Sequence, residues 1–263
     1  MKNHRITLIL ILAIATLAMT RPATAEETAT EASKATSVYL IGNSLTWDTV
    51  PSLLDGDVQW HVDCGKSLPF IFANPEIPCV KSSTLWPQAL REKQYDIVSF
   101  QTHYGATMAE DVETISKWIQ LQPQAVIVIH TGWAHHEKRA AEYASTETSG
   151  KMQHSPAYVA ALLAELKKQF PDHEFRQTQA IDLLDRIAAD IQAGRAPLTD
   201  VVDLHRDAIH MKHDSGRYLM HNAMRHALGQ PRSNRGFEKL DPTLKAYLDT
   251  VLDWLKTQAA ANK

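Results

Sequence analysis

Val38-Tyr39-Leu40-Ile41-Gly42-Asn43-Ser44-Leu45-Thr46 decides how the rest of the chain is read, because a short apolar run stops on a glycine and then a serine. Residues 38–41 are all apolar, and Val38 and Ile41 are β-branched, the composition of a buried strand. Gly42 is expected to let the backbone turn sharply, which sets Ser44 just past the strand's carboxyl end. In an open α/β sheet, that edge is where ligands bind.

Outward from this stretch, strands and helices alternate. Residues 58–62 alternate apolar and polar side chains and predict a second strand. A third is expected over 95–100, a fourth over the apolar run 125–130, and a weak fifth over 174–177. Helical spacing of apolar residues predicts helices over 111–120, 156–170, 181–191, 216–228 and 240–258. A shorter helix over 85–93 is expected to be broken near its start by Pro87. Residues 133–155 are polar and patternless and read as a long loop, either a lid or a mobile stretch. Such alternation argues an α/β fold with a parallel sheet covered on both faces.

The chain has 263 residues, enough for one α/β domain over 37–260, with no repeat or long linker. Lys2, His4 and Arg5 precede an apolar core over 6–19, and Ala23-Thr24-Ala25 fits a small-x-small cleavage site, so residues 1–25 read as a secretory signal peptide. The competing reading, a membrane anchor, needs a longer apolar run than this one. Residues 26–36, rich in Glu, Thr, Ala and Ser, read as a disordered leader. Cleavage removes Lys2, Arg5 and Arg21 and leaves 24 basic against 30 acidic side chains, a formal net charge of −6. That balance argues against nucleic-acid partners and anionic membrane surfaces. Cys64 and Cys79 are the two cysteines, and in an exported chain they are expected to form a disulfide. Closing such a loop stabilises by roughly 3 kcal/mol in the chain-entropy model.

Far downstream, Asp207-Ala208-Ile209-His210 supplies a carboxylate and an imidazole three residues apart. A serine hydroxyl is a weak nucleophile until a base takes its proton, and a carboxylate can fix that base's tautomer. Ser44, His210 and Asp207 therefore read as nucleophile, base and acid, with Asp203 as a rival for the acid. Helix N-capping is the structural alternative for Ser44. The chain's 13 histidines invite a metal reading, with His135, His136, His205, His213, His221 and His226 the densest, but no His-Glu-x-x-His run occurs. Gly65-Lys66-Ser67 lacks the earlier glycine of a phosphate loop, and there is no Gly-x-Ser-x-Gly elbow. Trp47, His103, Tyr104, His130 and Trp133 fall at or just past predicted strand ends; of these, Trp47, His103 and Trp133 are the candidate substrate contacts.

Together, Gly42-Asn43-Ser44-Leu45 and Asp207-x-x-His210 resemble the first and last blocks of the SGNH hydrolases, the GDSL-type esterase and lipase superfamily. The closer resemblance is to exported bacterial members whose first block reads Gly-Asn-Ser, an apolar residue and Thr. Their last block, Asp-x-x-His followed by Gly-Arg-Tyr-Leu, is similar to residues 207–219. The similarity spans residues 38–229, with its strong motifs at the two ends. It implies a flavodoxin-like three-layer α/β/α sandwich and an oxyanion hole. Donors there would be the backbone N–H of Ser44, that of Gly65 in the family's glycine block, and an amide after the third strand. The family's Gly-x-Asn-Asp block is replaced here by Ser99-Phe100-Gln101-Thr102-His103, which makes Gln101 the candidate third donor.

These readings converge on an exported serine esterase, periplasmic or secreted, that needs no metal or cofactor and does not insert stably in a membrane once cleaved. Members of the superfamily deacetylate polysaccharides, hydrolyse lipids or act on small esters. A carbohydrate ester is favoured, since the chain lacks a long exposed apolar segment. The rival expectation is a non-catalytic glycan- or ligand-binding protein on the same scaffold.

Overall fold

The computed structural model describes residues 35–261. The signal peptide and nearly all of the leader lie outside the described residues. The first strand, β1 (Ser37–Gly42), is followed by α1 (Ser44–Asp48) and a short 3₁₀ turn at Pro51–Leu53. Then come β2 (Asp57–Val62), α2 (Leu68–Ala73), α3 (Trp86–Glu92), β3 (Ile97–Gln101), α4 (Met108–Leu121) and β4 (Val126–His130). The chain continues through α5 (Arg139–Tyr143), α6 (Pro156–Gln169), β5 (Phe175–Gln177) and α7 (Ala180–Gln192). A 3₁₀ turn at Val201–Leu204, α8 (Ser215–Ala227) and α9 (Pro242–Ala261) complete it.

All strand pairs are parallel, in the order β2-β1-β3-β4-β5. This is the doubly wound order in which the winding direction reverses between β1 and β3, opening a crevice at their carboxyl ends. Tyr39, Ile41, Val98, Phe100, Ile127 and Ile129 point to one face and pack on α2, α3, α4 and α6. Val38, Leu40, Ile97 and Val128 point to the other, against Met224 and Ala227 of α8. There α7, α8 and α9 share a further apolar cluster. The result is a three-layer α/β/α sandwich. Period-2 side-chain alternation is invisible in the central strands because both of their faces are covered.

Several local expectations are corrected. Pro87 does not break α3 but sits in its first turn, where a missing N–H costs nothing and the fixed φ favours the helix. α4 starts three residues before the expected 111, because Thr107 and Glu110 form a capping box. The 133–155 segment is neither patternless nor loose: it contains α5, and Trp133, Ala134, Glu142, Met152, His154 and Ser155 are buried. Met152 N–H donates to the Ala106 carbonyl (2.7 Å), and the buried Glu142 carboxylate accepts from Tyr104 Oη (2.8 Å) and His154 N–H (3.0 Å). Cys64 and Cys79 form a disulfide with their Cα atoms 5.6 Å apart.

Candidate active site

The end of β1 feeds directly into α1, so the first N–H groups of the helix need acceptors from outside it. Asn43 is the N-cap, its Oδ1 accepting from Leu45 N–H (3.0 Å). This leaves the Ser44 hydroxyl free of the capping duty expected as its alternative role. The fully buried Gln101, at the end of β3, holds the same turn from the neighbouring strand. Its Oε1 accepts from Asn43 N–H (2.9 Å), Thr46 N–H (3.2 Å) and Thr46 Oγ1 (3.1 Å). Its Nε2 donates to the Thr102 carbonyl (2.9 Å).

In this geometry the Gln101 oxygen braces the serine turn and one of the two Nε2–H groups goes to the Thr102 carbonyl, which leaves one N–H for the expected oxyanion role. Gly42 is needed for a different reason than expected. A Cβ there would lie 2.2 Å from Thr46 Oγ1 and 2.7 Å from Gln101 Cβ, so it is close approach rather than a sharp turn that demands glycine.

On the far side of the crevice, Asp207 Oδ1 accepts from the backbone N–H of Ile209 (3.0 Å) and His210 (2.8 Å), curling the loop so that ring and carboxylate meet. His210 Nδ1 lies 2.9 Å from Asp207 Oδ2, and its Nε2 lies 2.9 Å from Ser44 Oγ. Nδ1–H donating to the carboxylate leaves Nε2 as an acceptor for the serine proton. Partial burial raises the Asp207 carboxyl, but the N–H groups of His210 and Ile209 and the His210 ring outweigh it and bring it down to about 2. It is therefore ionised near neutral pH. Serine, imidazole and carboxylate thus stand in hydrogen-bonded series although Ser44 and His210 are 166 residues apart.

The remaining candidates divide. Gly65 lies exposed in the turn after β2 at φ +68°, beside Cys64. The next residue's carbonyl accepts from Asn43 Nδ2 (3.2 Å), tying this turn to the serine turn. His103 is nearly buried, its ring 4.9 Å from Tyr104 and 5.6 Å from His154. Burial, aided by the neighbouring His135 and His210, pushes its imidazole down to about 4, so it is neutral near pH 7. Trp47 is half-buried against Trp60, with ring centroids 5.8 Å apart. Trp133, by contrast, is a fully buried core residue rather than a pocket wall, and its Nε1 donates to the Ile209 carbonyl (2.6 Å), anchoring the Asp207–His210 loop. His130 is buried too, its Nδ1 3.0 Å from Thr178 Oγ1. Asp203 is occupied with Thr199 and Asp200 in the 3₁₀ turn, away from the role of rival acid. Among the described residues, no three His, Cys, Asp or Glu side chains converge as a metal site. An open groove of about 850 Å³ begins at Tyr104, next to His103, and runs past Glu142, Thr148, Lys151 and Gln153.

A doubly wound α/β sandwich with a serine–histidine–aspartate series at its switch point is the class of protein these features define. No protein-family model matches the chain, and no curated protein matches it. Among solved structures it is similar to a GDSL-like lipase from Parabacteroides merdae, at 14% identity and TM-score 0.45, over 74% of this chain and 96% of that one. It is also similar to a two-domain esterase active on acetylated mannans, at 11% identity and TM-score 0.41, over 74% of this chain and 51% of that one. A third is an acetyl xylan esterase from the rumen bacterium Butyrivibrio proteoclasticus, at 9% identity and TM-score 0.33, over 54% of each chain. The chain thus spans about half the length of those two esterases.

Proposed function

We propose that the chain is an exported serine hydrolase that cleaves carboxylic esters through an acyl-serine intermediate. The observation that carries this reading is the 2.9 Å contact from Ser44 Oγ to His210 Nε2, continued at 2.9 Å from His210 Nδ1 to Asp207. In the first step Ser44 Oγ attacks the ester carbonyl while its proton passes to His210 Nε2. Asp207 holds the imidazolium by accepting from Nδ1–H. The backbone N–H groups of Ser44 and Gly65 receive the developing oxyanion. Collapse breaks the bond to the alcohol oxygen, which takes the proton from Nε2 and departs. Water then repeats the sequence, losing its proton to Nε2, and the carboxylic acid leaves with Ser44 regenerated.

Carbohydrate esters are the proposed substrate class. A polar groove runs from Tyr104 along Glu142, Lys151 and Gln153, which suits sugar hydroxyls. Among the described residues the large apolar side chains standing exposed are Ile77 and Val202. Export is supported by the signal-peptide pattern of residues 1–25 and by the Cys64–Cys79 bridge, which persists in oxidising compartments. No helix of the described residues is long and apolar enough to cross a membrane.

A fluorophosphonate reacts with an activated serine and hardly at all with an ordinary one. Incubation is expected to label the protein stoichiometrically at Ser44, and Ser44→Ala is expected to abolish both labelling and hydrolysis of aryl acetates while circular dichroism stays unchanged. A folded wild-type protein that takes no label, or an alanine variant with wild-type turnover, refutes the reading.

A further inference from the structure

Asp48 is a fully buried carboxylate at the end of α1, one helical turn beyond Ser44. Residues four apart lie on the same side of a helix, so Asp48 sits beneath the serine and faces the same loop. Its Oδ2 accepts from Met211 N–H (2.8 Å), and its Oδ1 accepts from Arg206 Nη1 (3.0 Å) and Arg217 Nε (2.9 Å). Arg206 immediately precedes Asp207, and Met211 immediately follows His210. The carboxylate therefore grips the two ends of the Asp207–His210 segment and nothing between them.

The segment is also closed on itself. Arg206 N–H donates to the His210 carbonyl (2.9 Å), Arg206 Nη1 donates to the Met211 carbonyl, and Lys212 N–H donates to the Leu204 carbonyl (2.8 Å). His205 and Met211 form an isolated antiparallel bridge. A small closed loop fastened at its mouth has little freedom to drift relative to its anchor. The anchor is the same short helix that carries Ser44. A buried carboxylate is costly unless paired, and here two guanidinium groups and a backbone N–H satisfy it. Apolar packing could fill the same volume, but it is not directional, whereas these hydrogen bonds fix distance and angle.

We propose that Asp48 is a positioning residue that sets the Ser44–His210 distance by locking the serine helix to the acid–base loop; this rests on the roles proposed above for Ser44, Asp207 and His210. Misplacing reacting groups by an ångström costs on the order of 100-fold in rate. Asp48→Asn is nearly isosteric, but its amide offers a donor where one of the three donors now finds an acceptor. The variant is expected to phosphonylate Ser44 about 10–100-fold more slowly, with kcat falling in parallel and KM within about twofold of wild type. Arg217→Lys, which keeps the charge and one donor to Asp48, is expected to lose less than Asp48→Asn.

A destabilised protein could also react slowly, so a control is needed. Leu166→Ala empties a core position on the opposite face of the sheet and is expected to lower the melting temperature while labelling at the wild-type rate. The ¹⁵N resonances of the His210 ring provide a readout that does not depend on turnover: in Asp48→Asn, the Nε2 signal is expected to lose the signature of its hydrogen bond to Ser44. Asp48→Asn labelling at the wild-type rate, an equal slowing in Leu166→Ala, or unchanged His210 resonances would each overturn the proposal. Failure of folded wild type to label would instead sink the hydrolase reading, and the His210 resonances would still decide whether Asp48 places the ring.

Discussion

Replacing Gln101 with leucine separates two roles for this residue, because the side chains are similar in size but leucine has no polar end. In the structure the Gln101 oxygen is the acceptor for Asn43 N–H, Thr46 N–H and Thr46 Oγ1, all buried, and its amide serves the Thr102 carbonyl. Leucine strands those groups. A buried polar group left without a partner costs about 1–3 kcal/mol. The Thr46 hydroxyl can rotate and the turn can relax, so the expected loss is roughly 3–5 kcal/mol rather than the full sum. For a domain of this size each kcal/mol moves the melting temperature by roughly 2–4 °C, so calorimetry should read a fall of roughly 6–20 °C. Activity should fall with it, because Ser44 rides on the turn that loses its brace. The refuting result is clear. If Gln101→Leu lost kcat but melted as wild type, the amide would be working on the transition state and not on the turn, and the argument from its hydrogen bonds would be wrong.

Three further outcomes follow from the same geometry. His210→Ala should lower kcat/KM for a soluble ester by about 10⁴-fold or more, whereas exposed His213→Ala should leave it unchanged; equal losses would show the base to be misassigned. His205→Ala should act mainly on stability, since His205 is buried with its Nδ1 3.1 Å from the Val201 carbonyl, and a dominant effect on kcat would point to another acid–base pair. Burial pushes the Asp111 carboxyl up to about 7, only partly offset by the hydrogen bond from Tyr158, so its contribution to stability is full below about pH 4 and is lost as pH rises through about 7. Asp111→Asn, which keeps an acceptor for Tyr158, should therefore melt higher than wild type at pH 8, with the gap narrowing steadily as pH falls to about 4; a pH-independent difference would refute the assignment.

The elements legible in the sequence were those whose burial is one-sided or total. β1, β3 and β4 announce themselves as apolar runs, and α4, α6, α7 and α9 by apolar residues at helical spacing, because each buries a face against the sheet or a neighbouring helix. What escaped was set by polar detail. α4 gains its first turn from a Thr107–Glu110 capping box, and Pro87 opens a helix it was expected to break, because proline's effect depends on whether it falls in the first turn or the interior. The 133–155 segment looked loose because its polar residues were counted as solvated. Their partners are distant: Glu142 holds Tyr104, and Trp133 reaches Ile209, 76 residues away.

The candidate site shows the same division more sharply. Ser44, Asp207 and His210 could be found because each lies in a short local pattern: a strand end, a glycine and a serine, or an acid three residues before a histidine. Asp48 and the true orientation of Gln101 could not. An aspartate four residues after Ser44 reads as an ordinary polar residue at the end of a short helix, and only the fold reveals that two arginines 158 and 169 residues downstream converge on it. Gln101 could be located from the sequence, since it ends the strand beside β1, but an amide has a donor end and an acceptor end. Which end faced the serine turn depended on what that turn lacked. A helix that begins immediately after a strand leaves N–H groups without acceptors, so the oxygen turned inward. The residues of the candidate triad are thus written locally, whereas those proposed to hold it in register are specified by donors and acceptors that the fold alone brings together.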